Sequence, residues 1–351
     1  MTPLQQPPKK GRLVKTIYAV IGFTLVLLGL LLFADGFGSL EPAPERAPTS
    51  SASPMASGEP LQPLPPTPEL AQEKLLLGEK LFSEPRLSAT NTVACISCHN
   101  LARGGADTRR YSNGVNNTPG IINTPSVFNA SLNFVQFWDG RAPTLEAQAA
   151  EPLLNPAEMA SNWVDLLRKL KADPQYTRDF AALYEDGITQ TNVINALVTF
   201  ERSLVTQNAP FDRYLKGDRS ALTAFEIEGY RRFKDYGCAS CHQGNNVGGN
   251  MFQRFGVMAD YFATRPVTRA DLGRFNVTGK EEDRYVFKVP SLRNVAVTAP
   301  YFHDGSAATL EQAISVMGRY QLGRELTPED IRALAAFLRT LTGEWRGRAL
   351  Q

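Results

Sequence analysis

A mostly α-helical protein of two related domains behind one membrane-spanning helix is the fold class the sequence predicts, and three observations predict it. Apolar residues recur at helical spacing in several stretches, while few segments alternate with the period of two that a strand requires. Residues 124–149 recur at a constant offset as residues 289–314. An uncharged apolar run lies close to the N-terminus, behind a basic flank. A chain of 351 residues with formal net charge +2 accommodates two domains. It carries no Lys/Arg stripe interleaved with aromatics, so a nucleic-acid partner is not expected.

Residues 1–15 hold Lys9, Lys10, Arg12 and Lys15, and read as a cytoplasmic tail. Thr16 to Ala34 is without charge and rich in Leu, Ile, Val and Phe. About 19 residues of helix span about 28 Å, enough for a hydrocarbon core of about 30 Å. The positive flank comes first, so the remainder is expected on the outer side. A cleaved signal peptide normally has a shorter apolar region ending at a small-x-small site, and Ala34-Asp35-Gly36-Phe37 is a poor one. Residues 35–67, dense in Pro, Ala, Ser and Glu, read as a tether.

The globular part is expected from residue 68, as two domains spanning 68–215 and 216–351. Leu70, Leu75, Leu77, Leu81 and Phe82 suit one face of a first helix over 69–82. Further helices are expected at 162–171, capped by Ser161, and at 190–206 and 222–235. The last, over 328–341, has Thr327 as cap, Pro328 at its first position, and Glu329 and Asp330 in its positive first turn.

The chemistry lies in two pentapeptides, Cys95-Ile96-Ser97-Cys98-His99 and Cys238-Ala239-Ser240-Cys241-His242. C-x-x-C-H is the attachment pattern of a c-type haem: the thiols form thioethers, and the adjoining imidazole becomes the proximal iron ligand. All four cysteines and two of the three histidines fall in these pentapeptides. Structural zinc from paired C-x-x-C knuckles usually places them about 15–20 residues apart, and these are far more widely separated. A thioredoxin-like dithiol does not call for a following histidine twice. Two cytochrome c-like haem domains are therefore expected.

The repeat follows each pentapeptide. Pro125, Ser126, Asn129, Phe137, Asp139, Gly140, Thr144, Leu145 and Glu146 fall on Pro290, Ser291, Asn294, Phe302, Asp304, Gly305, Thr309, Leu310 and Glu311. Internal duplication is the simplest origin. Two differences within and just beyond it carry information: Trp138 falls on His303, and Pro152 on Met317. A haem that only passes electrons works best with both axial positions filled, and methionine opposite histidine raises its potential. Met317 is the candidate for the second haem, with Met251 and Met258 as rivals. A haem that activates peroxide needs an open position and a group that moves a proton. His303 is the one histidine not used as proximal ligand, and it lies in the second copy, so a second histidine on the first haem is not expected. Glu151 and Glu158 offer carboxylates there, and Gln148 an amide.

From about residue 68 to 343 the chain resembles the bacterial dihaem cytochrome c peroxidases. The resemblance rests on both haem pentapeptides and on Leu81-Phe82-Ser83-Glu84-Pro85-Arg86-Leu87-Ser88, Gln136-Phe137-Trp138-Asp139-Gly140-Arg141-Ala142, Pro210-Phe211-Asp212-Arg213-Tyr214-Leu215-Lys216-Gly217, Pro290-Ser291-Leu292-Arg293-Asn294-Val295 and Pro300-Tyr301-Phe302-His303. It implies that the first haem is peroxidatic and of low potential. The second would be the high-potential entry haem, with Met317 as its axial ligand. Gln148 and Glu158 match the distal amide and the acid–base glutamate, and Trp138 the tryptophan between the haems. Asn123, Thr298 and Pro300 match ligands of an inter-domain calcium, through one side-chain and two main-chain oxygens, a donor set suited to a hard cation.

The resemblance further implies a homodimer, and the N-terminal run would hold it at the inner membrane, facing the periplasm. Hydrogen peroxide would be reduced with electrons from a small cytochrome c, a cupredoxin or the quinol pathway. Many relatives place a removable histidine on the peroxidatic iron; counted from His99, that position is Val115. Two other functions compete. A non-enzymatic dihaem electron carrier predicts two six-coordinate haems, and Gln148 with Glu158 argue against it. A dihaem oxidase that modifies a partner protein, as in the tryptophylquinone-maturing branch, uses tyrosine where this chain has Met317.

Overall fold

The computed structural model describes residues 58–351. The cytoplasmic tail, the membrane anchor and the first part of the tether lie outside the described residues. Among the described residues no helix is long and apolar enough to cross a membrane.

The described chain is mostly helical, with two short antiparallel ribbons. One pairs Phe252–Arg254 with Val286–Lys288, and the other pairs Glu344–Trp345 with Arg348–Ala349. Each half is built on one helix crossing. In the first, Gln72–Phe82 crosses Gln190–Ser203; in the second, Ala224–Asp235 crosses Pro328–Arg339. Glycine lets each pair close. A Cβ at Gly78 would overlap the Ala196 carbonyl oxygen and lie 2.8 Å from Phe200 Cβ, and one at Gly229 would overlap the Ala333 carbonyl oxygen and lie 3.0 Å from Phe337 Cβ.

The helix ends follow local chemistry. Thr223 and Thr327 each cap with a reciprocal acidic residue, Glu226 and Asp330, and Pro328 takes the first turn. The helix expected to start at Ser161 runs Trp163–Lys171 and is capped by Asn162, whose Oδ1 accepts from Asp165 N at 2.9 Å. Ser161 is held outside, its N–H donating to Leu153 O. The helix from Gln190 stops at Ser203 rather than 206, because Leu204 O and Thr206 N are taken by Asn129. The last helix stops at Arg339 rather than 341, with Leu341 O and Gly343 N taken by Asn294.

Those two asparagines belong to the repeated segment, whose copies agree down to backbone detail. Asn129 and Asn294 are left-handed at φ 61° and 60°, as are Phe137 and Phe302 at 66° and 72°. Bridges Gln136↔Ala142 and Tyr301↔Ala307 close equivalent turns. Ser126 and Ser291 each send their hydroxyl to a main-chain oxygen in the loop after the adjacent haem pentapeptide, Gly104 O and Asn246 O.

Packing corrects the expected boundaries. The tether was expected through residue 67, but from Gly58 the chain is packed. Leu61 is buried in the second core, Gln62 N donates to Gly244 O, and Gln62 O accepts from Arg293. Phe211, expected in the first domain, is buried in the second core as well. At the other end Leu350 lies in the first core, and Trp345 meets Phe128 edge-on. The chain's two described ends are thus exchanged between the halves. A small aromatic cluster of Phe255, Phe262 and Phe287 joins them, touching Trp138, Phe302 and Met317.

Candidate active site

Each pentapeptide folds as a tight 3₁₀ turn, Cys95–Ser97 and Cys238–Ser240. His99 N donates to Cys95 O at 2.9 Å, and His242 N to Cys238 O at 3.0 Å. That turn sets two thiols and the following imidazole on one wall of a cavity. Cys95, Cys98 and His99 line the first cavity; Cys238, Cys241 and His242 line the second. The cysteines are not gathered into one cluster, and none is disulfide-bonded, so zinc knuckles do not fit. Burial pushes the Cys95 and Cys238 thiols up to about 12 and about 11.

The imidazoles fit an iron ligand. His99 Nδ1 sits 3.1 Å from Gly105 O and, as donor there, leaves Nε2 its lone pair. His242 Nδ1 is buried without a hydrogen-bond partner. Burial pulls both below the usual histidine value, His242 to about 4, so both are neutral, the ligating form. Apolar walls, paired thiols and a neutral imidazole in each cavity are the donor set of a covalently held c-type haem.

The two cavities differ where they face the incoming group. Met317 lines the second, at the start of a π-helical turn, Met317–Gln321, that follows the helix Leu310–Val316. Met251 and Met258 do not line it, and Met258 is 62% exposed. The equivalent of Met317 in the first half is Pro152, inside the helix Leu145–Leu154, and it lines the first cavity without a ligating atom. The first cavity instead receives Gln148, Glu158, Arg141 and Asn155.

Asn155 Nδ2 donates to Glu158 Oε1 at 2.6 Å, and its own Oδ1 accepts from Ala157 N, so the pair is held as one unit. Burial raises the Glu158 carboxyl above the usual range, although the Asn155 bond opposes the shift. Glu151, the other carboxylate candidate, does not line the cavity; it pairs with Arg141 at 2.7 Å. A second acid went unread in the sequence: Glu201 lines the first cavity, its Oε2 buried without a partner, and burial pushes it up to about 8.

Val115 is 3% exposed, and its N–H donates to Glu158 O at 2.8 Å. The neighbouring Gly114 packs so closely that a Cβ there would overlap the carbonyl oxygen of Ala157. Val115 is thus folded behind the Glu158 segment. The loop lines the cavity through Ser112, Gly114, Gly120, Ile121 and Ile122, with no histidine, cysteine or methionine among them, and Ser112 Oγ is held by Asp107 and Thr124. Met159, buried at 3%, lines it from the core side.

Trp138 and Phe287 line both cavities. Trp138 Nε1 donates to Asn123 O at 3.0 Å, and Asn123 N donates to His303 O at 2.7 Å. Asn123, Thr298 and Pro300 all line the second cavity. Asn123 Nδ2 is spent on Arg109 O and Arg110 O, which leaves its side-chain oxygen for another partner. His303 stacks on Phe287 at 4.4 Å, and its Nε2 meets Asp271 Oδ1 at 2.8 Å. Asp271 and Asp304 are bridged by Arg265, so both acids of that buried group are already paired with a guanidinium.

Residues 72–220 match the family model described as di-haem cytochrome c peroxidase, and residues 227–342 match that of cytochrome c. The chain is 47% identical to "Cytochrome c551 peroxidase" of Nitrosomonas europaea over 297 residues, covering 84% of this chain and 87% of that one. It is 46% identical to "Cytochrome c peroxidase Ccp" of Escherichia coli over 296 residues, 84% of this chain, but spans only 63% of that relative's length. Among solved structures, a MauG-like protein associated with microbial copper homeostasis superposes with a TM-score of 0.73 at 29% identity, over 81% of this chain and 93% of that one. This chain belongs to the dihaem cytochrome c peroxidase family.

Proposed function

We propose that this protein reduces hydrogen peroxide at its first cavity with electrons that enter at its second. The observation that carries the reading is the difference between equivalent positions. The second cavity presents Met317, while the first presents Pro152 there and gathers Glu158 and Gln148 instead. When bound, the haems would supply the iron redox chemistry.

The protein's part is proton handling and order. Glu158, ionised, takes a proton from one peroxide oxygen and returns it to the other, which leaves as water. Asn155 fixes the carboxylate at 2.6 Å. Gln148 offers an amide to orient the two oxygens. One peroxide, two electrons and two protons give two waters. His99 would hold the iron of the first haem. His242 and Met317 would both hold that of the second, which would limit rearrangement on each electron transfer. Trp138, lining both cavities, supplies the aromatic step between them.

The wider reading has its own supports. The agreement of the two repeat copies in turns and φ angles supports duplication of one haem domain. Asn123, Thr298 and Pro300 would hold a calcium ion between the halves. The N-terminal apolar run would anchor the protein in the inner membrane with this part in the periplasm, as a homodimer. A small cytochrome c, a cupredoxin or the quinol pathway would supply electrons. Met317 weighs against the partner-modifying oxidase, and the Glu158–Asn155 unit against a simple electron carrier.

The test is stoichiometric turnover of the holoenzyme. Two equivalents of a reduced one-electron donor should be oxidised for each peroxide consumed. A dihaem protein that is reduced by the donor yet leaves peroxide untouched would overturn the proposal.

A further inference from the structure

Lys288 ends the strand Val286–Lys288, and its N–H donates to the main-chain oxygen of Trp138, which lines both cavities, at 2.8 Å. The residue is 8% exposed and lines the second cavity. Among the described residues, its ammonium makes no hydrogen bond, no ion pair and no contact with an aromatic face. The other buried cationic groups on this cavity are matched. Arg293 meets Asp212 at 2.6 Å, Gln62 O at 2.8 Å and Asn245 O at 2.9 Å. His303 meets Asp271 at 2.8 Å. Among the described residues, Lys288 is the one buried cation left unmatched on the cavity; Arg254, which also lines it, is exposed.

A buried ammonium without a counter-charge costs several kcal/mol. Burial, with nothing opposing it, pulls Lys288 down to about 8, which still leaves it mostly charged at neutral pH. The missing anion must come from whatever fills the cavity. Lysine is a compact point charge that suits a single carboxylate on a flexible arm, and a haem carries two such arms.

We propose that Lys288 is the charge partner of a propionate of the second haem. The contact would anchor that haem's carboxylate edge next to Trp138. It would also cancel a negative charge close to the iron, which favours the reduced form and acts in the same direction as Met317. The inference rests on the two-haem reading.

The test uses the holoenzyme. A haem count comes first: fewer than two haems in the wild type would sink the two-haem reading itself. With two haems present, Lys288→Met should lower the reduced-to-oxidised ratio of the second haem at fixed ambient potential about tenfold, or about 59 mV for one electron. The first haem should not move, and Lys288→Arg should restore most of the loss. A second-haem potential unchanged in Lys288→Met, with methionine ligation intact, would overturn the proposal. A crystal structure of the wild-type holoenzyme reads the contact without a variant. It should place Nζ within about 3.2 Å of a propionate oxygen; a separate anion there, or no anion, would overturn the assignment.

Discussion

Trp138 Nε1 donates to the main-chain oxygen of Asn123 at 3.0 Å, and this bond ties the aromatic ring between the cavities to the segment proposed to hold calcium. Trp138→Phe keeps the ring and removes the donor, at a cost of about 0.5–1.5 kcal/mol. Both haems should remain, and electron transfer between them should slow in single-turnover experiments. An unchanged rate would take Trp138 out of the path.

Glu158→Gln should retain haem content and slow the peroxide step by about 10²–10⁴-fold. Burial raises the wild-type carboxyl, so its ionised form is lost on acidification earlier than for an exposed carboxylate. The wild-type rate should fall as pH drops through that raised range, and the variant should lack that limb. A variant rate within twofold of wild type would move proton transfer to another group, with Glu201, whose Oε2 is unpartnered on the same cavity, next in line.

Met317→His should keep both haems and lower the potential of the second, because imidazole is a stronger donor than thioether to ferric iron. An unmoved redox titration would remove Met317 from the ligand set.

Two truncations separate tether from fold. Removing residues 1–57 and supplying a cleavable export signal should leave a stable, active protein. Removing 1–65 also deletes Leu61 from the second core and the Gln62 acceptor of Arg293. That should cost about 1.5–3 kcal/mol from the leucine alone, read as a lower midpoint in denaturant. Equal midpoints for the two proteins would show that the 58–65 segment contributes nothing.

What was legible in the sequence was local or repeated. The haem pentapeptides and the Thr327 cap depend on residues within a few positions of one another. Met317 and Trp138 stood out because the two copies could be compared. What stayed hidden depends on partners remote in sequence. Leu61 sits in a Pro-rich stretch with few apolar residues, and its core lies some 150 residues further on. Asn155 matters only because it holds Glu158, and Phe287 only because its ring faces both cavities. Lys288 reads as an ordinary strand lysine until its burial is known. The boundary at 215 failed for a related reason: Phe211 follows the first domain in sequence but packs with Tyr230 and Phe337 of the second.

The central claim is that the first cavity would keep its iron open at rest, because Val115 is folded behind Glu158 and the loop around it lines the cavity with no histidine, cysteine or methionine. The direct measurement is EPR of the as-isolated, fully oxidised holoenzyme, followed by stopped-flow mixing with peroxide. The account predicts one high-spin ferric signal beside one low-spin signal, and reaction without prior reduction or an activation lag. Two low-spin signals, with no reaction until one electron is added, would contradict it and point to Met159, buried on the same cavity, as the blocking ligand.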